Sequence, residues 1–216
     1  NNFNDSVFEA LTKVRGSSVV PVVATKWANP DPSTWRFTIR TGIKFQSGDT
    51  LTVEDVKYSF DQVLQNAEDE EKSWSSTNSV STVKEVKIVD DKTVDIITNK
   101  PDPLLINRIT DVFILSKKQT ERDGFDKASG TGPFKIASFE KDKEAVVERF
   151  DDYWGTKPKL KQAKFIVYET DDEMLEALKN NEIDYARVET NKPVLGAAFQ
   201  GRKEDAPRVV RCFFDF

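Results

Sequence analysis

Toward its C-terminal end the chain changes hydrophobic period twice within roughly 25 residues, and that switch restricts the fold more than any other feature. Lys164 to Tyr168 alternates as a strand, and Thr170 with Glu173 forms a capping box. Met174, Leu175 and Leu178 then share one helix face, and Ile183 to Val188 alternates again. Strand, helix, strand at this spacing is a βαβ unit, so its strands are expected to be parallel and joined by a right-handed crossover.

The residues before that unit read differently. Trp35, Phe37 and Ile39 alternate with Arg36, Thr38 and Arg40, the pattern of a half-buried strand. Val83 to Val89 and Thr93 to Ile97 flank Asp90-Asp91-Lys92 as a hairpin, and Phe134 to Phe139 with Ala145 to Phe150 flank Lys141-Asp142-Lys143 as another. Antiparallel hairpins followed by a parallel piece predict two subdomains. Ahead of both hairpins, residues 5 to 14 read as a short helix end. Thr52 with Asp55 opens a helix to about residue 66 whose apolar face is Val56, Phe60, Val63 and Leu64. Residues 68 to 81 are polar and predict a mobile loop in which Trp74 is the one large apolar side chain. Pro101-Asp102-Pro103 opens a short helix carrying Leu104, Leu105 and Ile109, Val112 to Leu115 reads as a short buried strand, and the charged residues 116 to 129 as irregular.

Composition narrows the chemistry. The 216 residues contain no histidine. Ser-His-Asp and Cys-His nucleophile systems, His-ligated zinc and the usual neutral-pH proton shuttle are therefore excluded, while carboxylate or lysine chemistry is not. With 37 acidic and 32 basic residues the net charge is -5 and the signs are interspersed, which is no nucleic-acid footprint. At 38% hydrophobic the chain can fill a core, and no apolar run approaches the roughly 18 residues of a spanning helix. Any targeting segment is expected to lie outside it. The single Cys212 has no internal disulfide partner and reads as a buried small hydrophobe.

Carboxylate neighbours such as Glu54-Asp55, Asp151-Asp152 and Asp171-Asp172 sit where turns and helix starts place acids. Gly130-Thr131-Gly132-Pro133 lacks phosphate-loop spacing and precedes a strand, so it reads as a turn.

Several segments, taken in order, resemble the extracellular solute-binding proteins of family 5, the peptide- and nickel-binding components of ABC importers. They are Val7-Phe8-Glu9-Ala10-Leu11; Pro21 through Trp27 to Trp35-Arg36-Phe37-Thr38-Ile39-Arg40; Gly42-Ile43-Lys44-Phe45; Gly48-Asp49 with Thr52 to Phe60; Gly130 to Lys135; Glu148-Arg149-Phe150 with Asp152-Tyr153-Trp154-Gly155; and Leu178 with Glu182-Ile183-Asp184. The resemblance implies an α/β fold of the type II periplasmic-binding-protein kind: a partial lobe I with an inserted small α+β accessory domain, truncated at both ends. Implied boundaries place 1–18 in lobe I, 19–130 in the accessory domain and 131–216 in lobe I again.

By the same resemblance the chain is a substrate-binding component, not an enzyme, that captures an oligopeptide or similar solute between two lobes. Its partners are that solute and ABC permease subunits, with no nucleic acid and no cofactor or metal of its own. It would work in a periplasmic or extracellular location, with any membrane anchor outside this chain. Ligands of open α/β sheets sit beyond the carboxyl ends of parallel strands, here Tyr168 to Thr170 and Val188 to Thr190. Candidate solute contacts are accordingly Thr170, Val188 and Glu189, to which the resemblance adds Phe8, Glu9, Trp74, Arg211 and Phe213. Two alternatives stand beside this reading: the sensor module of a transcription regulator, and a carboxylate hydrolase, which needs two acids converging in one pocket.

Overall fold

The computed structural model describes residues 3–67 and 76–186, together with the backbone of 208–210. Contacts divide these into two compact units, one holding 3–6, 133–151, 156–186 and 208–210, the other 7–67, 76–132 and 152–155. The chain begins with α1 (Asn4–Val7), a single turn. The helix expected over 5–14 stops there. β1 (Thr12–Arg15) instead pairs antiparallel with β2 (Ser18–Pro21) around Gly16, whose φ is +60°. Thr12 and Val14 are β-branched, and the Leu11 carbonyl accepts from the N–H groups of Val22 and Ala24 at 3.1 Å each, so ladder bonds replace helical ones. This hairpin belongs entirely to the second unit, which begins at Val7.

The second unit is built on an antiparallel sheet of β3 (Ala24–Asp31), β4 (Thr34–Ile39), β5 (Val83–Asp90) and β6 (Thr93–Thr98), in the order β3-β4-β6-β5. The alternation in β4 is realised: Trp35, Phe37 and Ile39 are buried, with Trp35 opposite Ile96 and Phe37 opposite Val94. On the other face Arg36 stands opposite Asp95 and grips it through two 2.7 Å hydrogen bonds. The inner face is covered by α2 (Val53–Ala67), which buries Val56, Phe60 and Val63. Each such side chain contributes about 1.5–3 kcal/mol on burial. The Asp55 carboxylate accepts from both the N–H and the hydroxyl of Thr52 at 2.8 Å, closing the start of α2 as the sequence predicts.

Four expectations in this unit are corrected. Thr77–Val80 form a 3-10 turn with Val80 buried, not a continuation of the loop. Phe113 makes a single bridge to Ala10 in place of a strand over 112–115, although Val112 and Ile114 are fully buried. After α3 (Leu105–Arg108), the region taken as irregular holds α4 (Lys117–Asp123). Ser116 caps it by accepting from the Gln119 N–H, and Gly124 ends it at φ +84°. Leu104, expected on a helix face, is 64% exposed.

In the first unit β7 (Phe134–Glu140), β8 (Glu144–Arg149) and β9 (Gln162–Ile166) run antiparallel, and β10 (Arg208–Val210) lies parallel to β9. Ala145, Val147, Ala163 and Phe165 are buried, with Phe3 edge-on to Phe165 at 5.4 Å between centroids. Next comes α5 (Asp171–Lys179), which carries the predicted capping box at Thr170 and Glu173. The strand expected from Ile183 is not formed over 183–186. Asn181 adopts φ +58°, the Glu182 N–H returns to the Ala177 carbonyl at 2.9 Å, and Ile183 packs against Met174 and Ala177. The parallel neighbour of β9 therefore comes later, at β10; residues 187 and 188 lie outside the described residues. No helix among the described residues is long and apolar enough to cross a membrane.

Candidate functional site

The segment after α1 is fixed from several sides of its own unit. The Val7 carbonyl accepts from the Gly132 N–H at 2.9 Å and the Gln46 side-chain amide at 2.7 Å, and the Glu9 carbonyl accepts from the Ile114 N–H at 2.9 Å. Gln46 also accepts from the Gly130 N–H at 3.2 Å. A Cβ at Gly130 would lie 2.2 Å from the Val7 carbonyl oxygen and 2.7 Å from the Phe8 ring. Only glycine permits so close a backbone approach.

This framework holds the half-buried carboxylate of Glu9. Its Oε1 accepts from the Tyr153 hydroxyl at 2.8 Å, and its Oε2 accepts from the Trp154 indole N–H at 2.8 Å and the Thr131 hydroxyl at 2.9 Å. Burial pushes the Glu9 pKa up, against the opposing pull of those three hydrogen bonds and of the Lys13 charge. Tyr153 is likewise pushed above its usual range by burial and by the negative charge of Glu9. All three hydrogen-bond donors to the carboxylate are neutral, so dipoles do most of the stabilising and the Lys13 charge adds the smallest share. The consequence is positional: residues 9, 131 and 153–154 are locked to one another. The guanidinium of Arg40 lies over the Trp154 ring, 4.6 Å from its centroid.

Acids also gather elsewhere in this unit, in a cleft of about 400 Å³ lined by Asp49, Thr52, Glu54, Asp55, Ser116 and Lys117 among others. Asp55, besides closing α2, accepts from the Lys117 N–H at 2.9 Å. Asp49 is paired with Lys118 at 2.7 Å, which holds its pKa down. A carboxylic acid that donates a proton near neutrality needs the opposite shift. Among the described residues no group of three or more acidic or cysteine side chains is arranged to hold a metal ion.

Of the residues named from sequence, Phe8 is 5% exposed and packs on Phe113 at 5.9 Å between centroids. Glu9 is the centre of the node just described. Thr170 is the exposed cap of α5, its hydroxyl accepting from the Glu173 N–H at 3.2 Å. Trp74, Val188, Glu189, Arg211 and Phe213 lie outside the described residues. Sequence reasoning placed Thr131, Tyr153 and Trp154 in turns and missed that they converge on Glu9. The one available signal was the pair of adjacent aromatics in a turn, where a solvated loop has no use for them.

Comparison with known proteins places these features in context. The description "Bacterial extracellular solute-binding proteins, family 5 Middle" matches residues 18–209. The chain is 31% identical over 182 residues to the dipeptide-binding protein of Escherichia coli, covering 72% of this chain and 34% of that protein. To the nickel-binding periplasmic protein of the same organism it is 29% identical, covering 82% of this chain and 35% of that one. It thus spans about a third of the length of these relatives. Among solved structures, the periplasmic binding protein DppA of Helicobacter pylori with the peptide STSA aligns with a TM-score of 0.71 at 23% identity, over 82% of this chain and 40% of that one. The fold is the α/β, type II periplasmic-binding-protein kind, of which this chain covers a part.

Proposed function

The chain belongs to the bacterial extracellular solute-binding proteins of family 5, and from that premise we propose that it is part of the substrate-binding component of an ABC importer. The observation that carries the reading is the extent of the family match, which runs through both compact units and reaches β10. On this reading the unit containing β7 to β10 belongs to lobe I, and the unit containing β3 to β6 is the accessory domain. The component works in the periplasm or outside the cell, delivers its solute to ABC permease subunits and performs no chemistry on it.

A peptide is the solute class favoured, because the relative with 31% identity is named for dipeptides. The proposed contacts are those read from the sequence: Thr170, Val188, Glu189, Arg211, Phe213, Trp74 and the Phe8-Glu9 segment, where the Glu9 node supplies rigidity. Because solute in such proteins is gripped between two lobes that close on it, one lobe carries one wall of the site. Calorimetric titration with di- and tripeptides is expected to show at most weak binding by this chain. Affinity equal to that of a complete two-lobed binding protein would refute the one-wall reading.

A further inference from the structure

Six arginines have described side chains, and four of them hold a carboxylate: Arg36 with Asp95, Arg108 with Asp102, Arg122 with Asp123 and Arg149 with Asp151. Arg15 and Arg40 hold none among the described residues; Arg40 lies over the Trp154 ring, and the charge of Arg15 bears on the neighbouring Tyr153. Arg40 is half-buried. Its Nε donates to the Val22 carbonyl at 3.2 Å, its own N–H donates to the Val23 carbonyl at 2.8 Å, and its guanidinium rests on Trp154. Trp154 cannot swing away, because its indole N–H is bound to Glu9. Arg15, on the exposed β1–β2 hairpin, stands close enough for its charge to act on Tyr153, the neighbour of Trp154.

An arginine fixed in this way has spent its Nε and one face and keeps its two Nη groups. Those are the donors that grip a carboxylate in a fork, and a guanidinium stacked on an aromatic ring is pre-organised for it. Glu9, which binds the same indole, is filled by three neutral donors, and Asp152, two residues before Trp154, is paired with Lys44 at 3.3 Å.

We propose that Arg40, assisted by Arg15, is a carboxylate-recognition site in the unit containing β3 to β6. The ligand chemistry is a carboxylate with a second negative charge nearby, supplied by a small dicarboxylic acid or by consecutive acidic side chains of a peptide segment.

The test titrates the protein with glutarate and, separately, with a blocked tetraglutamate peptide, following the arginine side-chain ¹⁵N resonances and the heat of binding at low and at physiological salt. Movement of the Arg40 resonances is expected, with binding that weakens as salt rises. Arg40→Gln is expected to weaken binding about tenfold and Arg15→Gln about threefold, in line with loss of a charge-assisted hydrogen bond and of a more distant charge. Arg40→Lys keeps the charge without the fork and should fall near Arg40→Gln. Response to glutarate alone identifies a small acid as the source, and response to the peptide alone an acidic segment. Because Arg40 also packs on Trp154, the wild-type resonances and the exposed Arg15→Gln variant keep the test decisive if Arg40 variants fold poorly. The proposal is overturned if neither probe moves the Arg40 signals at millimolar concentration, or if Arg15→Gln and Arg40→Gln bind as wild type does.

Discussion

Two carboxyl-bearing clusters, one in each compact unit, show opposite ways of holding a polar group. In the node the donors to Glu9 come from 122, 144 and 145 residues along the chain. In the cap of α5, Thr170 and Glu173 satisfy each other's backbone N–H across three residues. The cap forms whenever its helix forms. The node forms only once three distant segments have met, so it reports on the assembly of its whole unit. Local bonding stabilises one helix end, and non-local bonding fixes a topology.

The largest expected effect follows from breaking the node. Glu9→Ala strands the hydroxyl of Thr131, which is fully buried, and frees the Tyr153 hydroxyl and Trp154 N–H. An unmet buried donor costs about 1–3 kcal/mol, and relief of the buried charge returns part of the total, so a net loss of about 3 kcal/mol is expected in urea unfolding. Hydrogen exchange should rise in the Gly132 and Ile114 amides, which bind the Val7 and Glu9 carbonyls, and not in α5. Thr170→Ala should cost about 1 kcal/mol, because water replaces the lost acceptor at an exposed cap, and should raise exchange only in the first turn of α5. If Thr170→Ala proved as costly as Glu9→Ala, the distinction between the two clusters would fail.

The same distinction explains what the sequence makes legible. The α5 cap, the alternation in β4 and both hairpins are written in residues a few positions apart, and all are present. Asp55 is an intermediate case: its bond to Thr52 was readable, whereas its bond to the Lys117 N–H joins residues 62 apart and was not. The helix α4 had its signals, Ser116 before Gln119 and a closing Gly124, but the density of charge around them drew the reading toward an irregular segment. Over 183–186, alternation resembled a strand because Ile183 is apolar for another reason, namely to fill the underside of α5. At the candidate site, Glu9 was reached only through a resemblance, and its three partners not at all. No spacing rule connects residue 9 with residue 154.

The smallest effect expected is one of pH, and its sign tells burial apart from hydrogen bonding at Glu9. Burial raises its pKa while hydrogen bonds from Trp154, Tyr153 and Thr131 lower it, and burial prevails. The folded-state value therefore lies above the 4.5 of the free side chain. Between those two values the folded state binds more protons than the unfolded one, so this group's contribution to stability falls as pH rises through the window. The cost of holding the charge is fully present above the folded-state pKa and absent below 4.5. Asp49, Asp90, Asp123 and Asp151 are shifted downward, so their contribution is lost only as pH falls further, through their folded-state pKa values below 3.8. They are also common to any variant at Glu9 and cancel in a difference. Stability of wild type minus that of Glu9→Gln, measured by urea unfolding from neutral pH downward, should thus shift in favour of wild type as pH falls toward 4.5. A difference that moved the other way would mean the three neutral donors outweigh burial. The node would then be a stabilised anion whose loss on acidification loosens the segments it joins.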